Sequence, residues 1–231
     1  MPLRALQAIV FDFDGVIADS EMLHLRAYQQ VLAGEGIAFS NEEYFDRYLG
    51  YDDVGVMKAL SKDKGLTIDD ARIEELIERK GQRYEMLAAA GDMLFPGAAD
   101  FIRTAAAAVP IAIASGALTH EIEEVLERAG LRPLFPIIVG ADQTLRSKPD
   151  PEPYQTAFAR LRSMTGRDLQ PWRSVAIEDS KWGLVSARGA DLRCVAVTNT
   201  YAAEELREDA ELVATGLNTL TLEALDDLCA D

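Results

Sequence analysis

Four acidic residues stand where apolar runs give out. Asp12 and Asp14 close the run Ala8–Asp14, and Glu178 and Asp179 close Ser174-Val175-Ala176-Ile177. Asp12 and Asp14 are two apart, a spacing that sends both side chains to one face of an extended chain. Carboxylates gathered in one place repel one another unless a cation lies between them. An all-oxygen donor set suits a hard ion such as Mg²⁺, which takes one or two carboxylates and keeps several waters. The competing reading is that acids at strand ends cap the next helix. It has force for Asp179, just ahead of a helical pattern, and less for Asp12 with Asp14.

Two other segments carry usable groups. Ser115-Gly116 ends the run Ile111–Ser115 ahead of a helix. A hydroxyl and backbone N–H groups there can hold a phosphate, or merely form an ordinary turn. Lys148 lies in Arg146-Ser147-Lys148-Pro149-Asp150-Pro151, where the prolines stiffen the backbone and favour a fixed ammonium over a solvated one.

Strands must place these groups. Ala8–Asp14, Ile111–Ser115, Ser174–Glu178 and Cys194–Thr198 read as buried parallel strands, with Pro136–Gly140 a weaker fifth. Helical patterns alternate with them. Ile122, Val125, Leu126 and Ala129 share a face before Gly130, and another helix follows Ser180 with Leu184 and Ala187 and stops at Gly189. The alternation predicts an α/β fold, an open parallel sheet with helices between its strands. In an open parallel sheet, ligands bind beyond the carboxyl ends of the strands, where all of these groups fall. One long interval has no strand. Helical patterns fill it: Met22, Leu25 and Leu32 on one face, then Thr67 with Asp70 as a capping box ahead of Ile73, Leu76 and Ile77. Phe95-Pro96-Gly97 turns the chain into a helix over Ala98–Ala108. The expected organisation is a core of residues 1–18 and 92–231 with a helical insert over 19–91.

Composition narrows the classes. The 231 residues are 48% hydrophobic and 27% charged, a globular balance. Two cysteines exclude a disulfide scaffold, and no apolar run approaches the ~20 residues of a bilayer crossing. The acids after Val10 would spoil a signal peptide, so a cytoplasmic place is expected. With 23 basic and 39 acidic residues the net charge is −16, which repels nucleic-acid phosphates and anionic membranes. An anionic substrate would therefore need a bound cation and a few well-placed basic groups. Trp172 and Trp182 are read as packing residues and Cys194 as a buried, inert thiol.

Asp12-Phe13-Asp14-Gly15-Val16, Ser115-Gly116, Lys148-Pro149 and Glu178-Asp179-Ser180, in that order on the expected strands, resemble the four motifs of the haloacid dehalogenase superfamily. The resemblance covers essentially the whole chain. It implies a Rossmann-like core with a helical cap inserted after the first motif, the subclass of β-phosphoglucomutase and the phosphoglycolate phosphatases. It implies that Asp12 is a nucleophile forming an aspartyl-phosphate and Asp14 a general acid/base whose backbone carbonyl binds Mg²⁺. Asp179, with Glu178 directly or through water, would be a metal ligand. Ser115, Gly116 and Lys148 would clamp the phosphate. Glu21, His24, Tyr48 and Tyr51 are the candidate substrate residues of the cap, which would close over the substrate.

The expected activity is a Mg²⁺-dependent phosphatase acting on a small phosphorylated metabolite, in a monomer or small homo-oligomer that binds neither nucleic acid nor membrane. A phosphomutase is the alternative within enzymes, since Ser20 and His24 match the hinge of β-phosphoglucomutase. Such an enzyme grips a second phosphate with a cap arginine, where this chain has Gly50-Tyr51-Asp52-Asp53 and an acid would repel it. A non-catalytic binding protein on the same fold is the alternative from another class.

Overall fold

The computed structural model describes residues 5–48, 51, 53–90 and 93–230. Gly50 and Asp52, in the stretch where a mutase would carry its arginine, lie outside them. The chain divides into two compact units, one of Met1–Asp19 with Met93–Asp231 and one of Ser20–Asp92.

The first unit is built on one parallel sheet. Its strands are β1 (Ala8–Phe11), β2 (Ile111–Ala114), β3 (Ile137–Val139), β4 (Ser174–Glu178), β5 (Arg193–Val197) and β6 (Leu212–Ala214), ordered β3-β2-β1-β4-β5-β6. β1 is central because it is apolar on both faces. Ala8 and Val10 pack into a cluster with Tyr154, Ala157, Leu161 and Leu184. On the opposite face Phe11 meets Phe101 and Phe135 edge to face, with ring centroids 6.2 and 5.9 Å apart. A fully buried side chain of this size contributes about 1.5–3 kcal/mol, so the middle of the sheet is a rigid base for the loops at its carboxyl edge.

The alternation expected from sequence is present, with corrections at the ends. β1 stops at Phe11, not at Asp14, because the chain turns at once: the N–H groups of Ile17 and Ala18 donate to the Phe13 carbonyl at 2.8 and 3.0 Å. Asp12 and Asp14 therefore do not owe their placement to a shared strand face. β6 is a sixth strand not foreseen, only three residues long and bounded by Glu211 and Thr215. Trp172 and Trp182 are 54% and 66% exposed, so neither is a core packing residue. Cys194 is buried as expected, and burial pushes its thiol up to about 12.

The α-helices of this unit are α5 (Ala98–Ala108), α6 (Thr119–Arg128), α7 (Glu152–Thr165), α8 (Lys181–Gly189), α9 (Ala203–Leu206) and α10 (Leu222–Ala230). α7 lies against β2 and β3, and α8 against β5. Where the insert leaves and rejoins the core, the two backbones run side by side. Phe95 N–H donates to Ile17 O at 3.0 Å, Asp19 N–H donates to Met93 O at 2.7 Å, and Ala18 bridges Leu94 antiparallel.

The second unit is wholly helical: α1 (Glu21–Ala33), α2 (Asn41–Arg47), α3 (Asp53–Asp63) and α4 (Asp70–Ala90). Leu25, Tyr28 and Leu32 of α1 close on Val56, Met57 and Leu60 of α3 and on Ile73 and Leu76 of α4. The cap of α4 differs from expectation. Asp69, not Thr67, receives the Arg72 N–H at 2.8 Å, because the helix begins at Asp70 and Thr67 stands too far upstream to reach its first turn. Among the described residues no helix is long and apolar enough to cross a membrane.

Candidate active site

The register of the sheet brings the acids together. Phe11 pairs with Ile177 across β1 and β4, and Asp12 N–H donates to Ile177 O at 2.9 Å, so Asp12 and Glu178 leave the sheet as neighbours. Asp179 follows in the turn to α8. The three carboxylates offer oxygens within 4.8 Å of one another, all in buried residues. Lys148 reaches them from the loop ahead of α7. Its Nζ donates to Asp12 Oδ1 at 2.7 Å and to Glu178 Oε1 at 2.6 Å.

The electrostatics record the crowding. Burial and then the charge of Glu178 raise the Asp12 carboxyl to about 7, against the pull of Lys148. Burial, Glu178 and Asp12 hold the Asp179 carboxyl well above the usual range. Burial works against the Lys148 ammonium, yet Asp12 and Glu178 outweigh it and keep the group charged. Three buried acids share one lysine, so a positive charge is lacking. The site fits a divalent cation in donor chemistry and in charge.

Glu178 is fully buried and saturated with donors. Besides Lys148, Oε1 accepts from the Tyr154 hydroxyl at 2.8 Å. Oε2 accepts from the N–H of Asp179 and Ser180 at 3.1 and 3.3 Å and from Ser180 Oγ at 3.0 Å. The Ser180 hydroxyl also caps α8 by accepting the Gly183 N–H at 3.1 Å, so Ser180 rather than Asp179 is the cap. Gly183 is required here, since a Cβ on it would stand 1.9 Å from the Glu178 carboxyl. Gly183→Ala is therefore expected to displace Glu178 and Lys148 and lower kcat by roughly 10²-fold. Steady-state kinetics beside an unchanged far-ultraviolet circular dichroism spectrum would check this.

Gly15 has φ +75°, and a Cβ there would meet Asp179 Oδ2 at 1.9 Å and Thr200 Oγ1 at 2.9 Å. The loop after β1 thus lies directly on Asp179. Asp14 within it is half-buried, and its charge adds to the upward pressure on Asp12. Ser115 is buried just past β2, one strand over from Asp12; its Oγ accepts the Ala117 N–H at 3.1 Å. Nothing lies within 4 Å of where a Gly116 Cβ would be.

The four cap candidates have distinct surroundings within their own unit. Glu21 accepts a hydrogen bond from the Tyr44 hydroxyl. Tyr48 is buried, and its hydroxyl donates to Asp63 Oδ2 at 3.0 Å. Tyr51 is 58% exposed. His24 stacks on Tyr84 at 4.2 Å, and its Nδ1 lies 2.7 Å from Lys80 Nζ. Burial and the neighbouring ammonium lower the His24 imidazole to about 3, so it is neutral and accepts that bond. Lys80 is buried, pairs with Asp53 Oδ1 at 2.7 Å and sits 4.7 Å from the Tyr28 ring centre. A buried ammonium is tolerable only with such partners.

Tyr154, Asn199 and Thr200 are parts of the arrangement that sequence reading missed. Tyr154 carries Lys148 Nζ 5.0 Å above its ring as well as bonding Glu178. Asn199 Nδ2 donates to Gly15 O at 2.8 Å, and the Thr200 hydroxyl donates to Asp179 Oδ2.

Comparison with known proteins agrees with this geometry. The sequence pattern of the haloacid dehalogenase-like hydrolases matches residues 9–197. The protein CbbY of Rhodobacter capsulatus is 30% identical, over 96% of this chain and 99% of that protein. A phosphorylated carbohydrates phosphatase of Thermotoga maritima is also 30% identical, over 81% of this chain and 82% of its own. Among solved structures, a mutant CbbY from Rhodobacter sphaeroides in complex with xylulose-(1,5)bisphosphate is 29% identical. It superposes with a TM-score of 0.79 over 96% of this chain and 99% of its own.

Proposed function

The chain belongs to the haloacid dehalogenase-like hydrolases, and from that premise we propose how its residues divide the work and what they act on. It is a phosphatase of small phosphorylated metabolites that works through an aspartyl-phosphate on Asp12. The observation that carries the reading is the buried group Asp12, Glu178 and Asp179 with Lys148 bonded between two of its members.

We take the cation to be Mg²⁺, held by Asp12, Asp179 and the backbone carbonyl of Asp14, with Glu178 completing the acidic group. When bound, such an ion neutralises charge on the phosphoryl oxygens. The chain's own residues do the rest. Lys148 and the Ser115-Gly116 turn receive the phosphate; Lys148 also balances charge growing on its oxygens as the ester bond breaks. An Asp12 oxygen bonds to phosphorus while Asp14 gives its proton to the leaving oxygen. Asp14 then takes a proton from water, the water oxygen bonds to phosphorus, and phosphate leaves with Asp12 restored.

The substrate class we propose is a phosphorylated carbohydrate. Its support is the kinship to a phosphatase of that name and to a protein solved with a sugar bisphosphate. Among the cap candidates, Glu21, His24 and Tyr48 engage cap partners, whereas Tyr51 is exposed. The test is phosphate release from sugar mono- and bisphosphates, glycolate phosphate, glycerol phosphate and nucleotides, with Mg²⁺ and with excess EDTA. Release from sugar phosphates, lost with EDTA and restored by Mg²⁺, is the expected result. Conversion of β-glucose 1-phosphate to glucose 6-phosphate without net phosphate would instead make it a mutase. No turnover across the panel would favour the non-catalytic binding reading.

A further inference from the structure

Among the loops at the same rim that the four motifs leave unassigned is the segment after β5. Thr198 N–H donates to Ala214 O at 3.0 Å, which moors this loop to β6. From that mooring the next two residues reach the two loops that hold the acids. Asn199 Nδ2 donates to the carbonyl of Gly15, beside Asp14, at 2.8 Å. The Thr200 hydroxyl donates to Asp179 Oδ2. A carboxylate only accepts, so the direction of that bond is set. Each carboxylate oxygen has a second acceptor site, and the hydroxyl therefore fixes the rotamer of Asp179 without using up its capacity to bind a cation. The approach is close on every side: a Cβ at Gly15 would collide with both Asp179 and Thr200.

We propose that Thr200 is a positioning residue for the divalent cation, orienting Asp179, with Asn199 holding the Gly15 loop against it. The inference rests on the reading of the acidic group as a metal site. Polar groups that orient a ligating carboxylate commonly change metal affinity 10- to 100-fold when removed. Thr200 can lose its hydroxyl with little change of shape, since valine matches its outline.

The test is titration of the full chain with Mn²⁺ as the probe, by calorimetry, alongside thermal melts of the metal-free protein. Thr200→Val is expected to weaken Mn²⁺ binding by about 10- to 100-fold. Thr200→Ser, which keeps the hydroxyl, should stay within about threefold of the parent, and metal-free melting should be unchanged in both. At saturating Mg²⁺ the turnover of Thr200→Val should return to within a few-fold of the parent, while half-saturation moves to higher Mg²⁺. Should Thr200→Val fold poorly, Thr200→Ala compared with Thr200→Ser makes the same measurement. Parent and Thr200→Val binding Mn²⁺ equally would overturn this assignment alone. A parent protein that binds no divalent cation would overturn the metal reading and this assignment with it.

Discussion

Asp12→Asn is expected to reduce turnover by on the order of 10⁵-fold or more, as removal of a covalent nucleophile does elsewhere, and to leave the metal-free protein no less stable. The first half follows from the loss of the carboxylate proposed to take phosphorus, which Lys148 holds at 2.7 Å. The second has a definite sign. Burial and Glu178 raise the folded-state carboxyl of Asp12 from 3.8 to about 7. Between those values the folded chain keeps a proton that the unfolded chain has released. Metal-free stability therefore falls as pH rises through this window, and the full penalty is present above about 7. An amide carries no charge to bury, and its oxygen can still accept from Lys148. Melting metal-free parent and variant from pH 5 to 8 should show a decline for the parent that is smaller in the variant. Kinetics supply the other arm: substantial residual turnover in Asp12→Asn would sink the covalent mechanism.

Asp14→Ala should lower kcat by roughly 10²–10⁴-fold, the usual worth of general acid–base catalysis, while Mn²⁺ binding stays near that of the parent. The two effects separate because the buried group of acids consists of Asp12, Glu178 and Asp179, and Asp14 would offer the cation a backbone carbonyl that alanine also has. The leaving group gives a finer check. An aryl phosphate departs without help from an acid, so its first step should be nearly normal in Asp14→Ala. The second step still needs a base, and the aspartyl-phosphate should accumulate. Rapid acid quench with mass spectrometry would detect the added mass on the peptide containing Asp12. Equal losses for alkyl and aryl substrates, with no trapped intermediate, would assign the acid role to another group.

The site was legible in sequence to the extent that strand ends announce themselves. Asp12, Ser115 and Glu178 each interrupt or end an apolar run of three or four residues, and such a run fits a buried strand of an open parallel sheet. Lys148 was marked by the prolines around it. What stayed hidden depended on contacts far apart in the chain. Tyr154 reads as one more apolar position on a helix, and only the packing of α7 against the sheet carries its hydroxyl to Glu178. Thr200 and Asn199 sit in a loop of ordinary polar composition, and their meaning comes from the strand order, which lays β5 beside β4. β6 was too short to declare a period. The shared-face argument for Asp12 and Asp14 fails, because the chain turns after Phe11, and it is the pairing of β1 with β4 that sets Asp12 beside Glu178. In the inserted unit, Asp69 and Thr67 are both capping types, Asp the better, and the helix start at Asp70 puts Asp69 within reach of the first turn.

The ladder that links Ile17 and Asp19 to Phe95 and Met93 has an evolutionary corollary. The two ends of the Ser20–Asp92 segment are held side by side by the core's own backbone, so a short hairpin could span the junction at little entropic cost. The segment is thus a detachable cassette. Grafting its counterpart from a relative would test whether this segment sets substrate choice, since Asp12, Glu178 and Asp179 all lie outside it.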